Sequence, residues 1–317
     1  MIPILRIILL ACCVISSSIY SYAQSGDEPA VKLRSEREKQ GEKSTFNIEA
    51  ILNKPGSYTV LIRFLKQENM HEPKTLLKVV KSPGYILKIT PNDPKKSIDC
   101  RYNYSFTSGY EPRNVDSAFV YRLPYSTNRS EPVQINYLYN VSQRYLNRDR
   151  SIHWNSLQFK LEKGDTIFAM RKGEVVRIQD SFDPMEREER VSYTSKANSI
   201  TIEHTDGTIC RYDIFEKGSF MVSEGDIVYP GTPLGLCGQQ NETQGDYQLK
   251  LGVHYPIVNP EYDPNDPKSP TFLYVYYNPV FATDQGNVKL VRQEKYRAVS
   301  SKELEQKEMT KKEIKRR

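Results

Sequence analysis

The sequence predicts an all-β chain of two domains. Short runs rich in β-branched and aromatic residues recur along it, among them STFNIEAIL, SYTVLIRFL, NSITIEH and YQLKLGVHYP, and such side chains suit a pleated, half-buried surface. The runs are separated by turn formers such as Lys54-Pro55-Gly56, Ser82-Pro83-Gly84 and Asp206-Gly207, whose backbone preferences end a strand. Length sets the domain count: 317 residues exceed the roughly 250 that one core organises.

Taken in order, residues 1–23 have one basic residue, Arg6, then the apolar run Ile7–Ile15 and a Ser21-Tyr22-Ala23 ending. That is the layout of an export signal cleaved before Gln24. The run is shorter than the roughly 20 residues that span a bilayer, so no integral membrane span is expected after cleavage. The mature chain is expected outside the cytoplasm, in a periplasm or secreted. Leu9-Leu10-Ala11-Cys12 also has the look of a lipoprotein box, with Cys12 as the lipid anchor on that reading. Residues 24–43 are charged and nearly free of large apolar groups, which predicts a disordered leader.

Between residues 44 and 125, six runs ending with SAFVYRL follow one another at about ten-residue spacing, which predicts an immunoglobulin-like β-sandwich. Residues 126–149 read as a connector. The second domain, residues 150–285, reads as successive hairpins. Thr166–Met170 and Glu174–Gln179 flank Arg171-Lys172-Gly173; Ser199–Glu203 and Thr208–Tyr212 flank Asp206-Gly207; Asp226–Tyr229 and Thr232–Cys237 flank Pro230-Gly231. Residues 286–317 read as a charged, solvated, partly helical tail, with Ser300 and Glu303 spaced as a capping box.

Charge excludes some partners. The formal net charge is +6; Arg6 of the signal carries one unit and the last sixteen residues a net three. The body is close to neutral, so no nucleic-acid partner is expected. Beyond the signal the cysteines are Cys100, Cys210 and Cys237. An odd number at irregular spacing makes no disulfide framework; a Cys210–Cys237 bridge and three buried thiols both remain open.

Four histidines, His71, His153, His204 and His254, limit the chemistry. A catalytic zinc takes three protein ligands and an open water position, and the spacings contain neither H-x-H nor H-E-x-x-H. The glycines from Gly218 to Gly238 are separated by strands and form no phosphate loop.

The run Gly164-Asp165-Thr166-Ile167-Phe168-Ala169, followed by Gly173-Glu174-Val175-Val176, then Ser199–His204 with Gly207 and Tyr212, then Val222–Val228 with Gly231, Leu234-Gly235 and Gly238, resembles the lysostaphin/LytM-type peptidoglycan endopeptidases. The resemblance spans about 150–283. It implies an antiparallel LytM-type sheet domain, but the family's zinc-binding motifs are not matched. H-x-x-x-D falls on Trp154 and Gln158, with His153 one residue out of register. The histidine after the family tyrosine falls on Asp213, and the closing H-x-H falls on Gln248 and Lys250. His204 matches a family histidine that is not a ligand. The resemblance therefore implies a degenerate member with no cofactor and no catalytic residue. It would be an exported protein that binds peptidoglycan or regulates a cell-wall hydrolase through a groove lined by His153, Gln158, His204, Asp213, Gln248 and Lys250. Two further readings are a zinc endopeptidase with His153 and His254 as displaced ligands, and a scaffold subunit of an envelope complex.

Overall fold

A computed structural model describes residues 28–40, 43–139, 151–183, 197–239 and 247–316; the expected export signal, with Cys12, lies outside them. Their regular secondary structure is nearly all strand. In the N-terminal unit, β1 (Val31–Gln40), β2 (Lys43–Leu52) and β5 (Gly84–Ile89) form one antiparallel sheet in the order β1-β2-β5. Strands β3 (Tyr58–Glu68), β4 (Thr75–Val80) and β6 (Asp99–Ser108) form a second, in the order β4-β3-β6. The two sheets share one core, to which Val31, Ile48 and Ala50 contribute from the first and Val60, Ile62 and Cys100 from the second.

Two expected boundaries move. The expected leader contains β1, which pairs with β2 from Val31↔Leu52 to Gln40↔Lys43. Val31 and Leu33 are buried while Lys32 and Arg34 are exposed. An edge strand needs apolar side chains only at alternate positions, so a charged composition did not preclude it. SAFVYRL, expected in the first domain, supplies β7 (Val120–Arg122), which runs parallel to β19 (Val280–Thr283) in the second. Phe119, Tyr121 and Leu123 are buried in the second core.

The second unit is built on a ten-stranded sheet with the main order β15-β12-β13-β14-β17-β10-β8-β21. Its strands are β8 (Val133–Tyr139), β10 (Asn155–Lys160), β12 (Gly173–Gln179), β13 (Ser199–His204), β14 (Ile209–Asp213), β15 (Ile227–Val228), β17 (Gln248–Val258) and β21 (Lys295–Tyr296). Strand β18 (Phe272–Tyr277) pairs with β17 and with β9 (Ser151–Ile152). The expected connector thus contributes β8 to the sheet, where Ile135 is fully buried.

The hairpin about Asp206-Gly207 forms, as β13 and β14. The two other expected hairpins exchange partners. Strand β11 (Thr166–Phe168) pairs with β16 (Pro233–Leu236), and β12 pairs with β15 and β13. At the turn between β11 and β12 the Arg171 guanidinium is drawn into the protein, where it meets Asp206 at 2.8 Å and Glu308 at 2.8 Å. Pro256 lies within β17, opposite Tyr274. Strand β14 pairs with β17 only as far as His254; beyond that residue one edge is open and tolerates a residue with no N–H to donate.

The expected solvated tail is docked. Strand β20 (Gly286–Lys289) pairs with β19, and Leu290 and Tyr296 are buried in the second core. Helix α1 (Lys302–Gln306) is capped by Ser301 rather than Ser300, and α2 (Lys311–Ile314) carries a capping box of Thr310 and Glu313. Cys100, Cys210 and Cys237 are buried free thiols.

Candidate functional site

The strand period sorts the large sheet into two faces. Leu249, Leu251 and Val253 of β17 point into the core, so Lys250, Gly252 and His254 occupy the opposite, outer face. Register carries that face across the sheet. Asp213 of β14 pairs with Lys250, and Lys250 pairs with Gln158 of β10. Ser199 lies beyond Asp213, and Asn136 beyond Gln158. The result is one polar row crossing five strands, with Lys250 at its middle. Beside it, Arg211 binds Asp213 through Nε at 2.7 Å.

Three of the six expected groove residues, Gln158, Asp213 and Lys250, are therefore neighbours. Gln248 shares their face one pair further on, opposite Lys160, but is buried. His153 is exposed on the turn before β10, with φ at +54°. His204 is a correction. It follows Ile200 and Ile202 at alternate positions and turns into the core, 5.9 Å from the Tyr121 ring. Its Nδ1 lies 2.8 Å from Thr208 Oγ1, which donates to Asp206; Nδ1 therefore carries the proton and Nε2 is bare. A second correction concerns Asp213. A Y-x-H spacing counted from Tyr212 reaches Ile214, which is buried at φ +79°.

The donor set does not fit a zinc ion. Its side chains are two carboxamides, Gln158 and Gln248, the single carboxylate of Asp213, already paired with Arg211, and the ammonium of Lys250, whose charge opposes a cation and which has no lone pair to offer while protonated. The displaced ligands fare no better. His254 lies four residues from Lys250 along one strand, about 13 Å at strand rise. Its ring packs against Tyr276 at 4.8 Å and Tyr274 at 5.4 Å. Burial, with the Arg211 cation a lesser cause, lowers its pKa to about 4. Among the described residues no three His, Cys, Asp or Glu side chains are grouped to hold a metal ion.

The groups that sequence reasoning missed on this face are aromatic. Trp154, the only tryptophan, lies 6.3 Å from the Tyr276 ring. The N-terminal unit covers the next part of the face: Ser57 donates its N–H to Glu203 at 2.7 Å, and the Thr107 and Tyr274 hydroxyls meet at 3.1 Å. A cleft at that junction is lined by Ser57, Lys81, Tyr110, Glu174 and Glu203.

Comparison with known proteins follows the sheet. Residues 153–267 match the model of Peptidase family M23. No curated protein matches the chain. Among solved structures, the chain is similar to lysostaphin at 18% identity, with 42% of this chain and 47% of that one covered and a TM-score of 0.30. It thus spans about half the length of that relative. Helicobacter pylori Csd3 is 12% identical over 90% of this chain and 77% of its own, with a TM-score of 0.27. A zinc-containing peptidase from Vibrio cholerae is 10% identical over 72% and 83%, with a TM-score of 0.28. Residues 153–267 of this all-β chain thus carry the match to peptidase family M23.

Proposed function

We propose that this chain is an exported, non-catalytic M23 protein that binds peptidoglycan in the envelope through the outer face of its large sheet. One observation carries the reading: Lys250 pairs with Gln158 on one side and Asp213 on the other. A cation thus stands at the middle of the row where the family resemblance calls for metal ligands. A carboxamide, an ammonium and an ion-paired carboxylate supply hydrogen bonds to a polar ligand but no Lewis acid and no metal-activated water. Export is supported by the signal-like first 23 residues. Among the described residues no helix is long and apolar enough to cross a membrane.

The test is direct. Protein purified with zinc in the medium is analysed by mass spectrometry for bound metal, then incubated with purified sacculi and centrifuged. The expected result is far less than one zinc per chain, no release of muropeptides, and protein in the pellet. Stoichiometric zinc together with cell-wall hydrolysis overturns the non-catalytic reading, and protein left wholly in the supernatant overturns the binding one.

A further inference from the structure

Trp154 stands where counting back from Gly164 puts the family's first metal ligand, and an indole cannot serve as one. Its ring and that of Tyr276 are inclined at 58° with centroids 6.3 Å apart, so they make a corner. The corner is braced from below. His254 packs against Tyr276 tilted by 31°, with centroids 4.8 Å apart, and Tyr274 meets His254 edge-on. Tyr276 overlies Gly252 so closely that a Cβ there would stand 3.1 Å from its ring. Gly252 is two residues from Lys250, so the corner borders directly on the polar row. Trp154 and Tyr276 are both only partly buried.

We infer that this corner is a stacking platform for a sugar ring, and that the face takes the glycan strand of the cell wall rather than its stem peptide. The inference rests on the peptidoglycan reading and narrows it to one component. A pyranose presents C–H groups on its faces, which pack on the electron-rich face of an aromatic ring. Its hydroxyl and acetamido groups point outward, where Gln158, Lys250, Asp213 and Arg211 provide donors and acceptors. Rigid aromatic rings give that contact at little cost in side-chain entropy. An extended peptide is bound most simply by adding a strand to a free sheet edge. Around Lys250 the face has no such edge, because β17 is paired there with β14 on one side and with β10 on the other, and its open edge starts only beyond His254.

The absence of any other tryptophan turns the platform into its own probe. Full-length protein is titrated with the tetramer of β-1,4-linked N-acetylglucosamine while Trp154 fluorescence is followed. Parallel titrations use a synthetic stem peptide, and calorimetry gives affinities. The expected result is a saturable spectral change with the tetramer and none with the peptide. Trp154→Ala should weaken tetramer binding about tenfold or more, which is the scale of one lost aromatic contact. Trp154→Phe, which keeps a ring and guards against a folding artefact, should retain most of the affinity. A silent tetramer titration, a response to the stem peptide alone, or undiminished affinity in Trp154→Ala overturns the inference. Sacculi that pellet the protein while the tetramer is silent leave the peptidoglycan reading standing without the platform. A tetramer that binds while sacculi do not leaves the platform without that reading.

Discussion

At the scale of single residues, the outer face was legible wherever strand period alone decides orientation. Leu249, Leu251 and Val253 alternate with Lys250 and Gly252, so the sequence already separated core from outer face on β17. The same parity places His204 in line with Ile200 and Ile202 in the core, and its family match obscured that. What no local pattern revealed is Glu203, whose partner Ser57 lies 146 positions away. Glu203 is 8% exposed and accepts the N–H and the hydroxyl of Ser57. Burial raises its pKa, while the two bonds from Ser57 pull the other way. An acid whose folded pKa exceeds its unfolded value binds protons more tightly in the native state. Stability contributed by this group is therefore full below the unfolded value near 4.5 and falls as pH rises through the folded one. Glu203→Gln removes that dependence and keeps an acceptor for the Ser57 N–H. Its urea midpoint should match or exceed that of the wild type at pH 7, with a flatter stability profile just above pH 4.5. Glu203→Ala leaves the buried N–H unpaired and should cost about 1–3 kcal/mol at every pH. Equal losses in the two variants would show that the carboxylate charge itself is required. The imidazoles act in the opposite pH sense. Burial, aided by the Arg171 cation, takes His204 to about 3, and burial takes His254 to about 4. Below about pH 6.5 the unfolded state gains their protons first and the fold loses stability.

At the scale of elements, strands were easier to find than their partners. The runs around Arg171 and Pro230 were visible as β, yet their pairing was not, because ladder partners are chosen by the tertiary fold. Arg171 shows the physical reason. Its side chain is 5% exposed, its guanidinium carbon lies 3.9 Å above the Phe119 ring, and both nitrogens of its fork reach Glu308. The carboxylates that neutralise it come from Asp206 and from the C-terminal segment, and the alternating charges of that segment read in isolation as a solvated tail. Lys172 and Tyr229 hold the segment further along by binding Glu313. Those hydrogen bonds, Tyr229 first, take the Glu313 carboxyl down to about 2, so the stability it contributes is present above its unfolded value near 4.5 and lost as pH falls toward 2. Deletion of residues 301–317 leaves Arg171 with Asp206 as its one carboxylate and the Tyr121 hydroxyl as its other partner, and should cost about 3 kcal/mol in chemical unfolding. Arg171→Met should suppress most of that loss, because no buried cation is then left behind, and the two changes should be strongly non-additive. Additive losses would mean that the segment stabilises the fold through contacts other than Arg171.

At the scale of the whole molecule, the class was legible and the division of labour was not. All-β composition and turn chemistry pointed to β units, and length to two of them. The boundary was misplaced because β7 and β8 are too short or too ordinary in composition to declare which core they join. The consequence lies in how the units meet. The N-terminal unit rests on the outer face of the large sheet, next to the aromatic corner, with Gly109 at a point of close approach. Its φ is +77°, its N–H reaches Ser57 O at 2.8 Å, and a Cβ there would stand 2.9 Å from both Gly207 O and Ile209 Cγ1. Such a contact transmits: while it holds, neither unit gains freedom until both do, and the protein should melt in one calorimetric transition. Gly109→Ala forces a left-handed backbone on a side-chain-bearing residue and pushes the neighbouring unit away, at about 1–3 kcal/mol. The expected outcome is two transitions, the lower from the N-terminal unit and the upper from the M23 sheet. Retention of one transition at the wild-type midpoint would mean that the junction absorbs the methyl group. If the polar row and the aromatic corner belong to the M23 sheet alone, tetrasaccharide affinity should survive this uncoupling. If the N-terminal unit walls the groove, affinity should fall with the loss of the single transition.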